Sequence, residues 1–304
     1  MPPKLIFSFW LLILLLGSSM SAIADNKPPS TPSFRQFNHL ALSEMSGITA
    51  SQIHSNRYWV HNDSGDKTRI FAFDDQGAAL GELEIQGARA FDWEDISGYR
   101  DNNGAYLVIA DIGDNLALRH LVDVYIIKEP NKLNTPTGIA KLSHHFSLIY
   151  EDGPRDAESI AVDSEERFVY LLSKRDSHPR LYRFSLDALT SNPVPLNFVG
   201  EVRSIPSPEK HRSKRPGSIN NYSPTAMEFS ADGRAALIVT PRHSYYFTRK
   251  TGESWLSALN RKPQQINVPR MRQIEAGTFS PDGESILIGS EGRPAQLQLL
   301  KRPK

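Results

Sequence analysis

The sequence of 304 residues contains no cysteine. This absence excludes disulfide scaffolds, thiolate zinc sites, iron–sulfur clusters, cysteine nucleophiles and a lipoprotein anchor. An excess of basic residues is also missing, because 35 Lys and Arg stand against 34 Asp and Glu. Generic nucleic-acid binding normally shows such an excess, so the charge balance argues against it.

Several catalytic signatures are missing as well. The chain has no Gly-x-Ser-x-Gly elbow, no His-Glu-x-x-His motif and no Gly-rich phosphate-binding loop. A serine hydrolase is therefore disfavoured. Any hydrolysis by this chain would have to be assisted by a metal ion.

Only one stretch of the sequence is apolar over a long run. Residues 5–16 are almost entirely apolar, Lys4 precedes them, and small residues follow up to Ala22-Ile23-Ala24. This order is typical of a secretory signal peptide over residues 1–24 that is cleaved after Ala24. A permanent membrane anchor is the alternative reading, but the run is short for a span of about 20 residues. We therefore predict an exported protein, either periplasmic or secreted.

The mature chain divides into two parts. Residues 25–36 are rich in Pro and Ser and predict a flexible lead-in. Residues 37–304 are predicted to form a single domain. We expect a monomer that binds neither nucleic acid nor, once the signal peptide is removed, a membrane.

Short β-rich runs dominate the sequence after residue 37. None of these segments sustains a helical apolar period over three turns, and turns rich in Asp, Gly, Asn or Glu precede the runs. Asp-Gly pairs such as Asp232-Gly233 and Asp282-Gly283 favour tight hairpin turns. The clearest runs cover residues 57–60, 105–109, 168–172, 236–239 and 285–288. This pattern predicts an all-β protein.

A self-comparison of the sequence shows five repeated units. The segments Ser46-Gly47-Ile48, Glu94-Asp95-Ile96, Glu158-Ser159-Ile160, Thr225-Ala226-Met227 and Glu275-Ala276-Gly277 occupy equivalent positions, each ahead of a first strand, a turn and an apolar second strand. Their spacing lies near the 40–50 residues of a propeller blade plus insertions. We predict a β-propeller of about six four-stranded blades, with five to seven possible, and a β-sandwich as the alternative. A sixth blade would be irregular or completed by pairing of the chain ends.

Polar clusters occur where first strands start and second strands end. In an antiparallel blade these two positions share one edge, and first strands face the central channel. Oxygen ligands therefore converge around the axis, as Ca²⁺ requires. The predicted ligands are Asp92, Glu94, Asp95, Asp111, Asp114, Asn115, Glu158 and Glu275. Alternatively, Asp111, Asp114 and Asn115 hold a tight loop.

Basic residues are predicted on the same face. Lys174, Arg175, Arg242 and Arg293 are candidates for holding an anionic substrate, since Arg offers a bidentate fork. They can equally be solvated loop charges. His61 and Asp63 are the candidates for proton transfer, and His61 can instead hydrogen-bond a neighbouring loop. The basic run over residues 210–215 predicts a mobile solvated loop rather than a nucleic-acid patch.

Four segments carry a resemblance to a known family. Ser46-Gly47-Ile48, residues 59–65, residues 92–96 and residues 111–115 resemble a group of secreted bacterial propeller proteins. More distantly, the chain is similar to the phytase-like (esterase-like phytase) and gluconolactonase (SMP-30) six-bladed propellers. The resemblance implies a calcium ion near the axis, held by Glu, Asp and Asn at first-strand starts, and hydrolysis of phosphate esters or lactones.

Two functions are consistent with these features. The first is a metal-dependent hydrolase of an anionic small molecule, either a phosphate ester or a lactone, that uses a divalent cation, expected to be calcium. The second is a non-catalytic propeller in which the ion only rigidifies the centre. Its loops would then bind a peptide, a glycan or a partner protein. The two hypotheses differ in whether any ester is turned over.

Overall fold

The computed structural model describes residues 34–133, 136–190, 192–207 and 220–303. These residues lie in one compact unit. The predicted signal peptide, the first part of the predicted lead-in and the basic run at 210–215 lie outside the described residues. Within the described part of the chain, no helix is long and apolar enough to span a membrane.

Twenty β-strands and one short helix make up the described secondary structure. The first unit contains β2 (Met45–Ala50), β3 (Arg57–Asn62), β4 (Arg69–Asp74) and β5 (Ala79–Gln86). The second contains β6 (Trp93–Asp101), β7 (Gly104–Asp111), β8 (Val122–Lys128) and β9 (Thr137–Tyr150). The third contains β10 (Ala157–Asp163), β11 (Phe168–Ser173), β12 (Arg180–Ser185) and β13 (Val194–Glu201).

The last two units differ from these in how they are completed. The fourth unit contains β14 (Ala226–Phe229), β15 (Ala235–Val239), β16 (Ser244–Thr248) and β17 (Gln264–Ile266), with helix α1 (Trp255–Leu259) before its last strand. The fifth contains β18 (Ile274–Phe279), β19 (Ser285–Ser290), β20 (Ala295–Lys301) and, from the other end of the chain, β1 (Phe34–Phe37).

Hairpin chemistry explains the local folding of these units. Successive strands within each unit pair antiparallel. The turns between first and second strands of the last two units carry Gly233 at φ +64° and Gly283 at φ +71°. Such positive φ values are accessible to glycine at little cost, so the Asp-Gly pairs act as the sequence predicted.

The two ends of the described chain close the structure. β1 pairs antiparallel with β20 in the fifth unit, and Phe37 in β1 stacks on Phe73 of the first unit at 4.2 Å. The lead-in predicted over residues 25–36 therefore ends inside a strand. Its last residues are ordered by the sheet because their backbone groups complete the ladder of β20.

The five innermost strands contact one another in a closed ring. β2 contacts β6, β6 contacts β10, β10 contacts β14, β14 contacts β18, and β18 returns to β2. The all-β propeller prediction is thus confirmed. The described residues form five units, at the lower end of the predicted range and one fewer than the expected six. The expectation of six units rests on blades of about 40–50 residues, and the 14-residue β9 lengthens the second unit.

The hydrophobic core lies between neighbouring units. Five clusters of buried residues each join one unit to the next around the ring. One of them packs Trp59 and Ile70 of the first unit against Ile96 and Leu107 of the second. Because both faces of each sheet are covered in this way, β2 and β10 are buried along their whole length, and the first strands hold their ends at the channel.

Candidate functional site

Starts of first strands and ends of second strands meet at one mouth of the channel. The ladders pair Trp93 with Asp111, Ala157 with Ser173, and Ile274 with Ser290. The polar clusters that the sequence places at these two positions therefore share one edge of each sheet. This mouth is the candidate site.

A β-bulge turns one acid of each ladder out of the pairing pattern. The register skips Glu94 between Trp93 and Asp95 in the second unit. The third and fifth units repeat the irregularity at Glu158 and Glu275. A bulge leaves one residue unpaired and re-aims its side chain, which explains why these glutamates leave the ladder at the channel mouth.

Two overlapping groups of carboxylates result. Asp63, Asp92 and Glu94 form group A, and Glu94, Asp156 and Glu158 form group B. Within each group, one ligand atom from every residue lies within 4.8 Å of the others. Glu94 belongs to both groups and is the centre of the cluster. The acids come from the first, second and third units, so only the closed ring brings them together.

Glu94 is a buried acid without a partner among the described residues. Its side chain is 4% exposed, and neither a hydrogen bond nor an ion pair reaches its carboxylate there. Burial, followed by the negative charge of Asp63, raises the pKa of Glu94 well above its usual range. The same two causes raise the pKa of Asp92 to about 6. Buried carboxylates of this kind are normally paired or bind a metal ion.

Group B has positive charges of its own. Lys174 Nζ forms an ion pair with Glu158, and Arg175 forms one with Asp156. The second oxygen of Glu158, Oε2, is buried without a hydrogen-bond partner. Group B is therefore partly neutralised, whereas no basic side chain of the described chain forms an ion pair with group A.

Two further acids extend the cluster toward the fifth unit. Burial raises the pKa of Glu275, an effect that Lys174 opposes. Burial, followed by the charge of Glu275, raises the pKa of Glu291 to about 7. Glu291 follows β19 and was not among the predicted ligands, although the sequence places it at a second-strand end.

The loop after β7 covers the cluster closely. The Gly113 N–H donates to the Asp92 carbonyl at 3.2 Å. A Cβ atom at Gly113 would overlap Glu94 Oε1 and Asp92 Oδ2, so any side chain here would force both carboxylates to move. Gly113 thus lets the backbone approach both carboxylates.

The three predicted ligands of this loop lie outside both carboxylate groups. Asp111 accepts the N–H groups of Phe91 (3.0 Å) and Asp92 (3.1 Å) and forms an ion pair with Arg119 at 2.9 Å. Asp114 accepts the N–H groups of Leu118 (2.9 Å) and Arg119 (2.7 Å). Asn115 accepts a hydrogen bond from Arg175. Their oxygens serve to shape the loop, as in the alternative reading of the sequence.

Asp95 also lies outside the groups, although it follows Glu94 directly. Its carboxylate accepts backbone N–H groups from Ile96 (2.9 Å), Ile160 (2.9 Å) and Met227 (3.2 Å). Burial raises its pKa well above the usual range. Asp95 therefore connects the inner strands of the second, third and fourth units.

A buried glutamate deeper in the channel was missed by the sequence reasoning. Glu228 of β14 accepts hydrogen bonds from Ser97 Oγ at 3.0 Å and Thr49 Oγ1 at 3.4 Å. Burial and the nearby Asp95 raise its pKa well above the usual range. It lines a cavity of about 620 Å³ at the opposite mouth. The sequence feature that could have pointed to Glu228 is an acidic residue within a short, otherwise apolar first strand.

The two residues predicted for proton transfer have different surroundings. His61 is fully buried, its Nδ1 lies 2.8 Å from the Asn62 carbonyl oxygen, and its Nε2 has no partner among the described residues. Its ring packs edge-on against Trp93, and burial lowers its pKa. Asp63 is partly exposed and belongs to group A.

The remaining predicted basic residues follow second strands of the fourth and fifth units. Arg242 and Arg293 are exposed, and Arg242 Nε lies 3.4 Å from Asn221 Oδ1. Neither forms an ion pair with a described residue, unlike Lys174 and Arg175.

The carboxylate cluster fits a hard divalent cation. All of its ligand atoms are oxygens, Glu94 is buried without a hydrogen-bond donor among the described residues, and Gly113 places no side chain against Glu94 and Asp92. Calcium and magnesium bind such oxygens. The described residues can therefore hold a metal ion at the mouth of the channel.

Comparisons with known proteins place the chain in a family. No curated protein sequence matches it. Among solved structures, hydrazine synthase of Kuenenia stuttgartiensis is similar, with 9% identity and a TM-score of 0.48 over 91% of this chain and 98% of that chain. The Pan2 WD40 domain of Neurospora crassa shares 10% identity with a TM-score of 0.37 over 88% and 65% of the two chains. A family model described as "Phytase-like: Esterase-like activity of phytase" matches residues 41–298, so the chain belongs to the phytase-like family.

Proposed function

We propose that the protein is an exported hydrolase that cleaves an anionic small-molecule ester, a phosphate ester or a lactone, with the help of a bound calcium ion. The observation that carries this proposal is the position of Glu94. It is buried, unpartnered among the described residues and shared by two groups of three carboxylates. Membership of the phytase-like family supports the hydrolytic role.

The cation would be held by Asp63, Asp92 and Glu94, with Asp156 and Glu158 beside them. Calcium suits this set because it takes six to eight oxygen ligands in flexible geometry, and a substrate oxygen and water can complete the number. When bound, the ion would supply Lewis-acid polarisation of a phosphoryl or carbonyl oxygen.

The chain's own residues would orient water and substrate. Asp63 offers one carboxylate oxygen to group A and is partly exposed, so its second oxygen is better placed than the enclosed His61 to accept a proton from an attacking water. Arg242 and Arg293 are exposed, follow second strands and have no acidic partner among the described residues. They are the candidates for binding the anionic group of the substrate.

A non-catalytic binding propeller is the second candidate. The ion pairs of Lys174 and Arg175 favour it, because they engage the basic side chains nearest the carboxylates. In that case the ion would stabilise the ring, and the loops would bind a peptide, a glycan or a partner protein.

Hydrolysis is tested with chelated and calcium-loaded protein on a panel of chromogenic phosphate esters and lactones. Calcium-dependent turnover that is lost in Glu94→Gln would support the hydrolase. Glu84→Gln, the same change at an exposed position of β5, is the matched control and should keep full activity. Calcium binding without turnover of any ester would support the binding module instead.

Export is tested by expression of the full chain in a bacterial host with cell fractionation. The expected result is a periplasmic or secreted product whose mass corresponds to a chain beginning at Asp25. A cytoplasmic product of full length would contradict the predicted signal peptide.

A further inference from the structure

The two carboxylate groups are not neutralised in the same way. In group B, Glu158 pairs with Lys174 and Asp156 pairs with Arg175, two consecutive residues after β11. In group A, Asp63 accepts only the N–H of Ser64, at 2.5 Å, and no hydrogen bond from a described residue reaches the carboxylates of Asp92 and Glu94. Because Glu94 belongs to both groups, this difference in neutralisation bears on how many ions the two groups can bind.

The backbone fixes the position of Lys174, and a neighbouring loop holds Asp156. Lys174 N–H donates to the Asp156 carbonyl at 2.9 Å, which continues the ladder between β10 and β11. Asp156 is held in turn by the Asp114 N–H at 2.9 Å. The Lys174 side chain is 19% exposed and that of Glu158 is 5% exposed. The pair is therefore a built part of the channel mouth, not a solvated surface contact.

From this asymmetry we infer that Lys174 and Arg175 are internal counter-ions that occupy group B, so that the mouth of the channel takes a single divalent cation, in group A. This inference rests on the metal ion of the proposed function and specifies its position. A second divalent ion in group B would have to displace the Lys174 ammonium from Glu158.

The inference gives Lys174 a role other than substrate binding. An ammonium group in group B balances one carboxylate permanently, so one divalent ion balances most of the charge that remains. Removal of this ammonium should leave Glu158 free to bind a second ion that shares Glu94 with the first. The number of bound ions, not catalysis, is thus the quantity that Lys174 controls.

Calcium titration by calorimetry of the chelated full-length protein tests the inference. The wild type should bind one ion. Lys174→Met, which keeps most of the length of the side chain but removes its charge, should bind two. Lys67→Met, the same change at an exposed residue, is the control and should bind one. Circular dichroism spectra should show that every variant is folded before titration.

A second pair of variants locates the first ion independently of Lys174. Asp92→Asn in group A should weaken calcium binding by at least about tenfold, because ligand charge sets calcium affinity. Glu158→Gln in group B should keep one bound ion and weaken it much less. This pair remains decisive if Lys174→Met fails to fold.

Three results would overturn the inference. They are a single unchanged ion in folded Lys174→Met, a greater loss of affinity in Glu158→Gln than in Asp92→Asn, or no calcium binding by any variant. The expected stoichiometries without turnover of any ester would instead reject only the hydrolase. The failure of the counter-ion role and the failure of the enzymatic role are therefore distinguishable.

Discussion

Gly113 lies so close to Glu94 that a Cβ atom at residue 113 would overlap Glu94 Oε1. The same Cβ would overlap the carboxylate of Asp92. A single glycine of the loop after β7 thus sets how near the backbone comes to the two central acids of group A. The loop is in turn held by Asp111 and Asp114, which is how residues outside the cluster shape it.

Gly113→Ala should therefore weaken calcium binding by at least about tenfold, because the methyl group displaces two ligand carboxylates at once. The measurement is calcium titration by calorimetry. Gly98→Ala is the matched control, since a Cβ there meets only the flexible side chain of Gln52, and it should bind calcium like the wild type. Equal affinity of the two variants would contradict the proposed ion position.

The stability of the calcium-free protein should fall as the pH rises from about 5 to about 8. Asp92 has a folded-state pKa of about 6 and Glu291 one of about 7, both above their ordinary values. The folded state therefore binds these protons more tightly than the unfolded chain, and their removal destabilises it as the pH rises through the raised pKa values.

Urea unfolding of chelated protein across this pH range measures the effect. Calcium should reduce this loss of stability, because the bound ion takes over from the protons in balancing the negative charge of the carboxylates. Glu291→Gln should flatten the part of the curve near pH 7. Chelated protein that is as stable at pH 8 as at pH 5 would refute the prediction.

Asp95→Ala should destabilise the fold by about 3 kcal/mol or more, since it leaves the buried N–H groups of Ile160 and Met227 without an acceptor and each such group costs about 1–3 kcal/mol. Urea unfolding at constant pH gives the value. Asp187→Ala is the comparison variant. Its side chain is 60% exposed and pairs with Arg167 at the surface, so the change should cost much less than Asp95→Ala. Similar losses in the two variants would show that Asp95 does not connect the inner strands.

Phe37→Ala should destabilise the protein by about 3–5 kcal/mol, the usual cost of truncating a buried phenylalanine. Phe37 is 2% exposed, and its ring is stacked on Phe73 across the closure between the fifth and first units. Urea unfolding measures the loss. Gln36→Ala, at an exposed residue of the same strand, should be nearly neutral. If both changes were neutral, β1 would not stabilise the closure.

The repeat alignment was more informative about the site than about the number of blades. The first residues of three aligned segments, Glu94, Glu158 and Glu275, are the residues that the bulges take out of the ladders. Each bulge involves only a first strand and the second strand that follows it, so the repeat alignment places these three glutamates at equivalent positions. The number of units depends on where the residues of the long connections are placed and on which terminal strand closes the ring. No short sequence pattern indicates either of these.

Asp95 and Glu94 show how two neighbouring predicted ligands come to have different surroundings. It follows Glu94 in the sequence, and both are buried acids at the start of β6. Glu94 leaves the ladder at the bulge, whereas Asp95 pairs with Ala110 and its carboxylate accepts N–H groups from two other units. Two adjacent acids that look alike in the sequence thus have different surroundings, because the groups that contact them come from distant parts of the chain.

By itself, the sequence determined the all-β class, the five repeated units and the shared edge at which the acids lie, because turn chemistry and strand alternation act over a few residues. Only the tertiary structure decided which acids meet. Asp63, Glu94 and Asp156 come from three units, and Lys174 reaches Glu158 across a single ladder. Distances between units, and the burial that raises the pKa of Glu94, exist only once the ring is closed.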